Sequence, residues 1–142
     1  MRDVTVTLTD TPTAADLDRI EEGLTRFNEE RWAPVDWRRL AVLVRDADGQ
    51  VIGGLNGNTM WGWLFVEHLW LPEGLRGQDL GTQLMQIAEA EARRRGCRHA
   101  LLDTFGFQAQ GFYEKLGYRV FARLDDYPGT NTRSYLVKDL AG

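Results

Sequence analysis

The 142-residue sequence predicts an α/β domain built on a mixed sheet, and three observations carry that reading. Apolar residues alternate, or run continuously for a few positions, in several short segments spread along the chain. Helical spacing appears in three longer stretches, beginning near residues 13, 79 and 107. One of these stretches lies between two strand-like segments, and a strand, helix, strand succession of that length joins parallel neighbours by a right-handed crossover. The length fits one domain, 1–142, large enough to bury most of the surface its unfolded form exposes.

In chain order, Val4, Val6 and Leu8 alternate with polar residues and predict a first strand. Thr11-Pro12-Thr13 then announces a helix, since either threonine can cap it and proline suits a first helical position. Leu17, Ile20, Leu24 and Phe27 follow on one face as far as Glu30, the pattern of an amphipathic helix. In the irregular residues 31–39, Trp32 and Trp37 either pin a loop or line an acceptor pocket. Leu40 to Val44 and Gln50 to Leu55 flank Asp46-Ala47-Asp48-Gly49 and read as a hairpin. Asn56-Gly57 predicts another turn, leading into Met60 to Leu71, a run apolar on both faces as expected of a central strand. Glu67 and His68 interrupt that run.

A second helix from Asp79 carries Leu80, Leu84, Ile87, Ala88 and Ala92 on one stripe, and Gly96 stops it. A strand over 98–105, a short helix from Phe107 to Leu116 ended by Gly117, and closing strands at 118–123 and 132–137 complete the order.

Composition narrows the function. The net charge of −4 and pI near 5.2 argue against a nucleic-acid or anionic-membrane surface, so an anionic ligand has to be captured locally. The single cysteine, Cys97, excludes an internal disulfide and a Cys-based zinc cluster, and no other metal-ligand cluster is visible. No apolar segment approaches the roughly 20 residues that span a bilayer, and the first ten residues lack a signal-peptide pattern. The expected location is therefore cytoplasmic. Without a Ser-His-Asp pattern or a phosphate-binding lysine loop, hydrolase and nucleotidase readings fall away.

The most informative stretch is Leu69 to Leu84, which passes from an apolar strand through a turn bearing Arg76 and Gly77 into the second helix. Such a turn offers backbone N–H groups where the helix dipole adds positive potential, which makes it an anion seat. Glu67 and His68 stand immediately before it.

The segment L-W-L-P-E-G-L-R-G-Q-D-L-G-T-Q-L, followed after a strand by F-Q-A-Q-G-F-Y-E-K-L-G-Y, resembles the GNAT superfamily of N-acetyltransferases. The resemblance implies a mostly antiparallel central sheet flanked by helices, with one parallel crossover, and acetyl-CoA as cosubstrate. Arg76, Gly77, Gln78, Asp79, Leu80 and Gly81 occupy the family's Arg/Gln-x-x-Gly-x-Gly/Ala loop, with Asp79 where the first glycine usually stands. It implies that N–H groups from Gly77 to Thr82 meet the pyrophosphate and that the main chain of Leu69, Trp70 and Leu71 pairs with the pantetheine arm. Tyr113 matches the tyrosine that protonates the departing thiolate. Gly106 stands where the family has an asparagine, whose cofactor contact would pass to a backbone group or to Gln108.

The acceptor amine must lose a proton before it attacks, and Glu67 is the first choice of base, ahead of His68, with Asp103 and Glu30 as further options. A strand N–H at Leu69 or Trp70 can stabilise the negative charge that develops on the carbonyl oxygen. The expected activity is direct acetyl transfer to a primary amine of a small molecule or peptide. The alternative is a non-catalytic acyl-CoA-binding sensor, which the departures at Asp79 and Gly106 keep open. Trp61, Trp63, Trp32 and the loop Asp125-Asp126-Tyr127-Pro128 hint at a cationic or aromatic acceptor. The superfamily also makes a homodimer an expectation.

Overall fold

The structure, a computed structural model, describes residues 3–141 and contains two compact units, Met1–Val35 and Asp36–Gly142. In the first unit, helix α1 spans Ala14–Arg31. Thr13 caps it: the Asp16 N–H donates to Thr13 Oγ1 at 3.0 Å and the Thr13 N–H to Asp16 Oδ2 at 3.1 Å, a reciprocal capping box. Pro12 therefore precedes the cap instead of opening the helix. The strand expected at Val4 to Leu8 is absent, because residues 3–9 form no regular element and join no ladder. Alternation marks two faces, but a strand forms only where a neighbour accepts its hydrogen bonds.

The second unit is a six-stranded, mostly antiparallel sheet in the order β1-β2-β3-β4-β6-β5. Its strands are β1 (Arg38–Arg45), β2 (Val51–Met60), β3 (Trp63–Trp70), β4 (His99–Phe105), β5 (Arg119–Leu124) and β6 (Arg133–Asp139). Helix α2 (Leu80–Arg94) connects β3 to β4, the one parallel pair, and helix α3 (Gln110–Lys115) connects β4 to β5. The hairpin at residues 46–49 forms as expected, with Asp46 Oδ1 accepting from the Asp48 and Gln50 N–H groups at 2.9 Å each.

Asn56-Gly57 does not turn the chain. It lies within β2, and the reversal comes at Trp61-Gly62, where Gly62 takes φ 82°. The irregularity that Asn56-Gly57 does mark is a register shift: Asn56 pairs with His68 and Gly57 with Val66, leaving Glu67 as the extra residue of a bulge.

Helix α2 covers β1, β2 and β3 on one face. Leu84, Met85, Ala88 and Ala92 interlock there with Leu40, Leu55, Leu64, Val66, Leu102 and Leu136. Full burial of a side chain such as Leu64 or Leu136 is worth about 1.5–3 kcal/mol. Ile87, expected inward, is exposed, whereas Glu89 is buried with its partners described below. Cys97 is a buried free thiol whose pKa burial pushes up, which fits packing at a strand edge.

Candidate active site

The site arises from an interruption in the sheet. β3 and β4 pair only from Trp63↔His99 to Val66↔Leu102, although β3 runs on to Trp70 and β4 to Phe105. Past Val66 the Glu67 bulge turns β3 away, so Glu67–Trp70 and Asp103–Phe105 each keep one edge without a ladder partner. Two strand edges therefore diverge within the sheet. Backbone N–H and C=O groups point to the two edges of a strand at alternate residues. One of Leu69 and Trp70, both paired with β2 on the other side, therefore presents its groups at this open edge to the amides of an extended, peptide-like arm.

The anion seat continues from this opening. Glu73–Leu75 make one 3₁₀ turn, Arg76 Nε donates to the Leu71 carbonyl at 3.1 Å, and Gly77 takes φ 79°. Gln78 donates through Nε2 to the Gly74 carbonyl at 3.3 Å. Asp79 then adopts the left-handed conformation, φ 60° and ψ 15°, as the residue before α2. That conformation explains why a glycine is usual here, and aspartate is among the few side chains that tolerate it. The Asp79 side chain makes no capping hydrogen bond, so the first N–H groups of α2, from Leu80, Gly81 and Thr82, stay open. At Gly81 an added Cβ would lie 3.1 Å from Phe112 Cζ, so the second glycine lets α3 approach the start of α2. These residues fit a pyrophosphate: open N–H groups, a helix N-terminus and Arg76 beside them.

Glu67 lies on the sheet face opposite α2. Asn58 Nδ2 donates to its Oε1 at 2.8 Å, and Arg39 NH1 stands 3.8 Å from the same oxygen. Its Oε2 has no partner among the described residues. His68 is exposed, with Nδ1 3.5 Å from Asn56 Nδ2. Trp37 stacks on the Arg39 guanidinium at 4.9 Å, which places one expected acceptor aromatic beside the Glu67 network. Trp32 and Glu30 belong to the other unit. Trp61 sits at the turn before β3 and Trp63 stacks on His99 at 4.6 Å.

On the other side of the opening, Asp103 accepts from Arg133 Nε at 2.8 Å. Arg133 also donates to Tyr127 Oη at 2.9 Å and lies among the rings of Phe105, Tyr127 and Tyr135. Asp103 is thus held in an ion pair with Arg133. Tyr113 on α3 is buried to 8% exposure, yet its hydroxyl has no hydrogen-bond partner among the described residues and so reaches the surface. Burial first, and the negative charge of Asp103 second, hold this phenol above its ordinary pKa. It stays protonated at neutral pH, as a proton donor must.

The departure at Gly106 has a packing reason: a Cβ there would meet Thr132 Oγ1 at 3.2 Å, and the Gly106 N–H donates to the Thr132 carbonyl at 2.7 Å. Gln108 spends its amide oxygen on the Phe105 N–H and the Thr104 hydroxyl, closing the β4–α3 turn. Only its NH₂ group remains for a ligand.

Matches to known sequences and structures agree with this geometry. Residues 11–118 match the Acetyltransferase (GNAT) family. The chain belongs to that family. It is 37% identical over 119 residues to acetyltransferase Atu2258 of Agrobacterium fabrum, covering 84% of this chain and 87% of that protein. It is 46% identical over 93 residues to the blasticidin-S acetyltransferase of Streptomyces morookaense, covering 65% and 68%. Among solved structures, an Agrobacterium tumefaciens protein described as an acetyltransferase superposes with a TM-score of 0.91 at 34% identity, over 96% of this chain and 99% of that one. A Bacillus cereus acetyltransferase gives 0.82 at 27% identity, over 94% and 97%. The GNAT chain is therefore an acetyl-CoA-dependent acetyltransferase, and nothing in these relatives supports the sensor alternative. Among the described residues, no helix is long and apolar enough to cross a membrane, and no cluster of metal-ligating side chains is present.

Sequence reasoning overlooked Arg39, Asn58 and Arg133, whose side chains meet Glu67 and Asp103 only through strand register. It also overlooked a buried carboxylate. Glu89, 4% exposed, accepts from Tyr118 Oη at 2.8 Å and Lys138 Nζ at 2.7 Å, with Arg93 NH2 at 3.8 Å. The visible signal was its spacing, one turn from Met85 and from Arg93 on the buried edge of α2.

Proposed function

We propose that this GNAT enzyme acetylates a primary amine of a small polar molecule by direct transfer, within a single domain drawn from both units. The observation that carries the reading is the end of β3–β4 pairing at Val66↔Leu102. It opens the sheet where Glu67 offers an unpaired oxygen, beside the open N–H groups of α2. The family match over residues 11–118 crosses the boundary between the units, which supports the one-domain reading. A cytoplasmic location fits the supply of acetyl-CoA.

In this reading Leu80, Gly81, Thr82 and Gly77 receive the pyrophosphate, with Arg76, Gln78 and Asp79 around it, while the edges of Leu69, Trp70 and Leu71 align the arm. Acetyl-CoA supplies an activated acetyl thioester. Glu67 takes the ammonium proton through Oε2, directly or through water, so that the amine lone pair is free to form the C–N bond. The Leu69 or Trp70 N–H faces the charge that grows on the carbonyl oxygen. Tyr113 gives its proton to sulfur as the C–S bond breaks, and the second proton lost from the new amide nitrogen restores the phenol through solvent.

Blasticidin S is the first acceptor to test, because a relative at 46% identity carries that name. The assay is thiol release from acetyl-CoA across a panel of amines that includes blasticidin S and short peptides, with product mass as a second readout. Thiol release with a mono-acetylated product from a small amine is expected. Acetyl-CoA binding with no release from any acceptor would restore the sensor reading.

A further inference from the structure

We propose that Gln108 binds the cosubstrate: its side-chain NH₂ group donates to an amide carbonyl in the pantetheine arm of acetyl-CoA, from the β4 side of the opening in the sheet. The inference rests on the arm lying in that opening. Backbone direction places the group there. The Gly106 N–H donates to the Thr132 carbonyl at 2.7 Å, on the β6 side of the chain. N–H groups of an antiparallel pair face its partner at alternate residues, so the preceding pair, Phe105↔Arg133, turns the Phe105 N–H away from β6. It points to the edge that β3 leaves beyond Val66↔Leu102. There it donates to Gln108 Oε1 at 2.8 Å, so the Gln108 side chain folds back onto the open edge of β4.

The polarity of the hydrogen bonds fixes which end of the carboxamide faces outward. The Ala109 N–H donates to Thr104 Oγ1 at 3.4 Å, and the Thr104 hydroxyl donates in turn to Gln108 Oε1 at 3.1 Å. Thr104 is 2% exposed, so its hydroxyl has no water to turn to. Oε1 thus meets two donors, and a carboxamide turned over would set its NH₂ against both. Gln108 itself is exposed, and its NH₂ has no hydrogen-bond partner among the described residues.

The nearby alternatives are occupied. The Phe105 and Gly106 N–H groups already donate, and a side chain at 106 is blocked by Thr132, whose Oγ1 a Cβ would meet at 3.2 Å. Gln108 therefore replaces the consumed Phe105 donor with one of its own, set further into the opening. The group is neutral, which suits an amide carbonyl of the arm, whereas the pyrophosphate has the start of α2 and Arg76.

Gln108→Glu separates binding from architecture. A carboxylate still accepts from the Phe105 N–H and the Thr104 hydroxyl, but it donates nothing. Thermal unfolding should stay at the wild-type temperature. The acetyl-CoA Kd, measured by calorimetry, should weaken about tenfold, and the Kd of the bare nucleotide half of coenzyme A, which lacks the arm, should not change. An unchanged acetyl-CoA Kd would leave Gln108 with the turn alone and overturn the proposal. Equal weakening for both ligands would also overturn it, because repulsion by the added charge then accounts for the loss.

A second measurement needs no variant. In wild-type protein, acetyl-CoA should shift the Gln108 side-chain NH₂ signals in the NMR spectrum, together with backbone amides of Leu69 or Trp70, and the nucleotide half should shift neither. Movement at Leu69 or Trp70 without movement at Gln108 would remove this inference alone. Stillness at all three would remove the arm from the opening as well.

Discussion

Two carboxylates in the Asp36–Gly142 unit are each surrounded by polar side chains, and they differ in what is left over. Glu89 is 4% exposed and spends both oxygens, Oε2 on Tyr118 and Oε1 on Lys138. Glu67 is partly exposed and spends Oε1 alone, on Asn58 and Arg39. The two tyrosines repeat the contrast: Tyr118 donates to Glu89, whereas the Tyr113 hydroxyl has no protein partner among the described residues. A saturated buried group fixes architecture, because removing one partner strands the other. A group held on one side and open on the other is prepared for something that arrives. In this molecule the first kind ties α2 to β6 and to the end of α3, and the second kind flanks the divergent strands.

Substitutions of the tyrosines separate the two regions most widely. Tyr113→Phe should lower kcat about 100-fold, the usual weight of a positioned acid, while thermal unfolding hardly moves. Tyr118→Phe should cost about 1.5–3 kcal/mol of stability, since a hydrogen bond to a buried charge is lost, with little change in kcat per folded molecule. Both phenols have raised pKa values, from burial first in each case, with Asp103 adding at Tyr113 and Glu89 at Tyr118. The folded state therefore favours the protonated phenols. Their stabilisation is complete below about pH 10, the unfolded tyrosine value, and falls as pH rises above it. Urea melts at pH 8 and pH 11 should show that fall, and Tyr118→Phe should reduce it.

A smaller effect belongs to the contact that brings the helices together. Gly81→Val pushes a side chain into Phe112, which a Cβ alone would already meet at 3.1 Å. Acetyl-CoA binding measured by calorimetry should weaken by about tenfold, equivalent to about 1.4 kcal/mol. Smaller still is Asp79→Gly. It relieves a left-handed backbone at φ 60° that costs a side-chain-bearing residue about 1 kcal/mol, and it removes a negative charge from the anion seat. Slightly higher stability and acetyl-CoA binding tighter by a few-fold are expected; weaker binding would show that the Asp79 carboxylate contributes to the seat.

Much of this fold could be read in the residues, because periodicity and punctuation report local geometry. Gly96 and Gly117 ended their helices, Asp46 to Gly49 turned the hairpin, and Leu84, Ala88 and Ala92 faced the core. The turn at Arg76 to Gly81 was equally legible, since its glycines answer to a positive φ and a close approach. What escaped depended on partners distant in sequence. Val4 to Leu8 alternate correctly but lack a neighbouring strand, and Asn56-Gly57 resembles a turn until pairing with His68 and Val66 makes it one side of a bulge. Glu67 stood out because it broke an apolar run. Arg39, Asn58 and Arg133 carried no such mark, since their importance comes from register across strands. Glu89 was hidden for a related reason: a glutamate on an amphipathic helix is ordinarily solvated, and only Tyr118 and Lys138 make its burial tolerable.

The most direct test of the contrast is the pH–rate profile of Glu67→Gln beside Glu89→Gln, at saturating acetyl-CoA and with acetyl-CoA affinity measured in parallel. Glu67→Gln should lose about 100-fold in kcat/KM for the acceptor, lose its acidic limb and keep its acetyl-CoA affinity. Glu89→Gln should be less stable yet retain the wild-type profile. A Glu67→Gln enzyme with the wild-type rate and both limbs intact would contradict the assignment of chemistry to the open carboxylate.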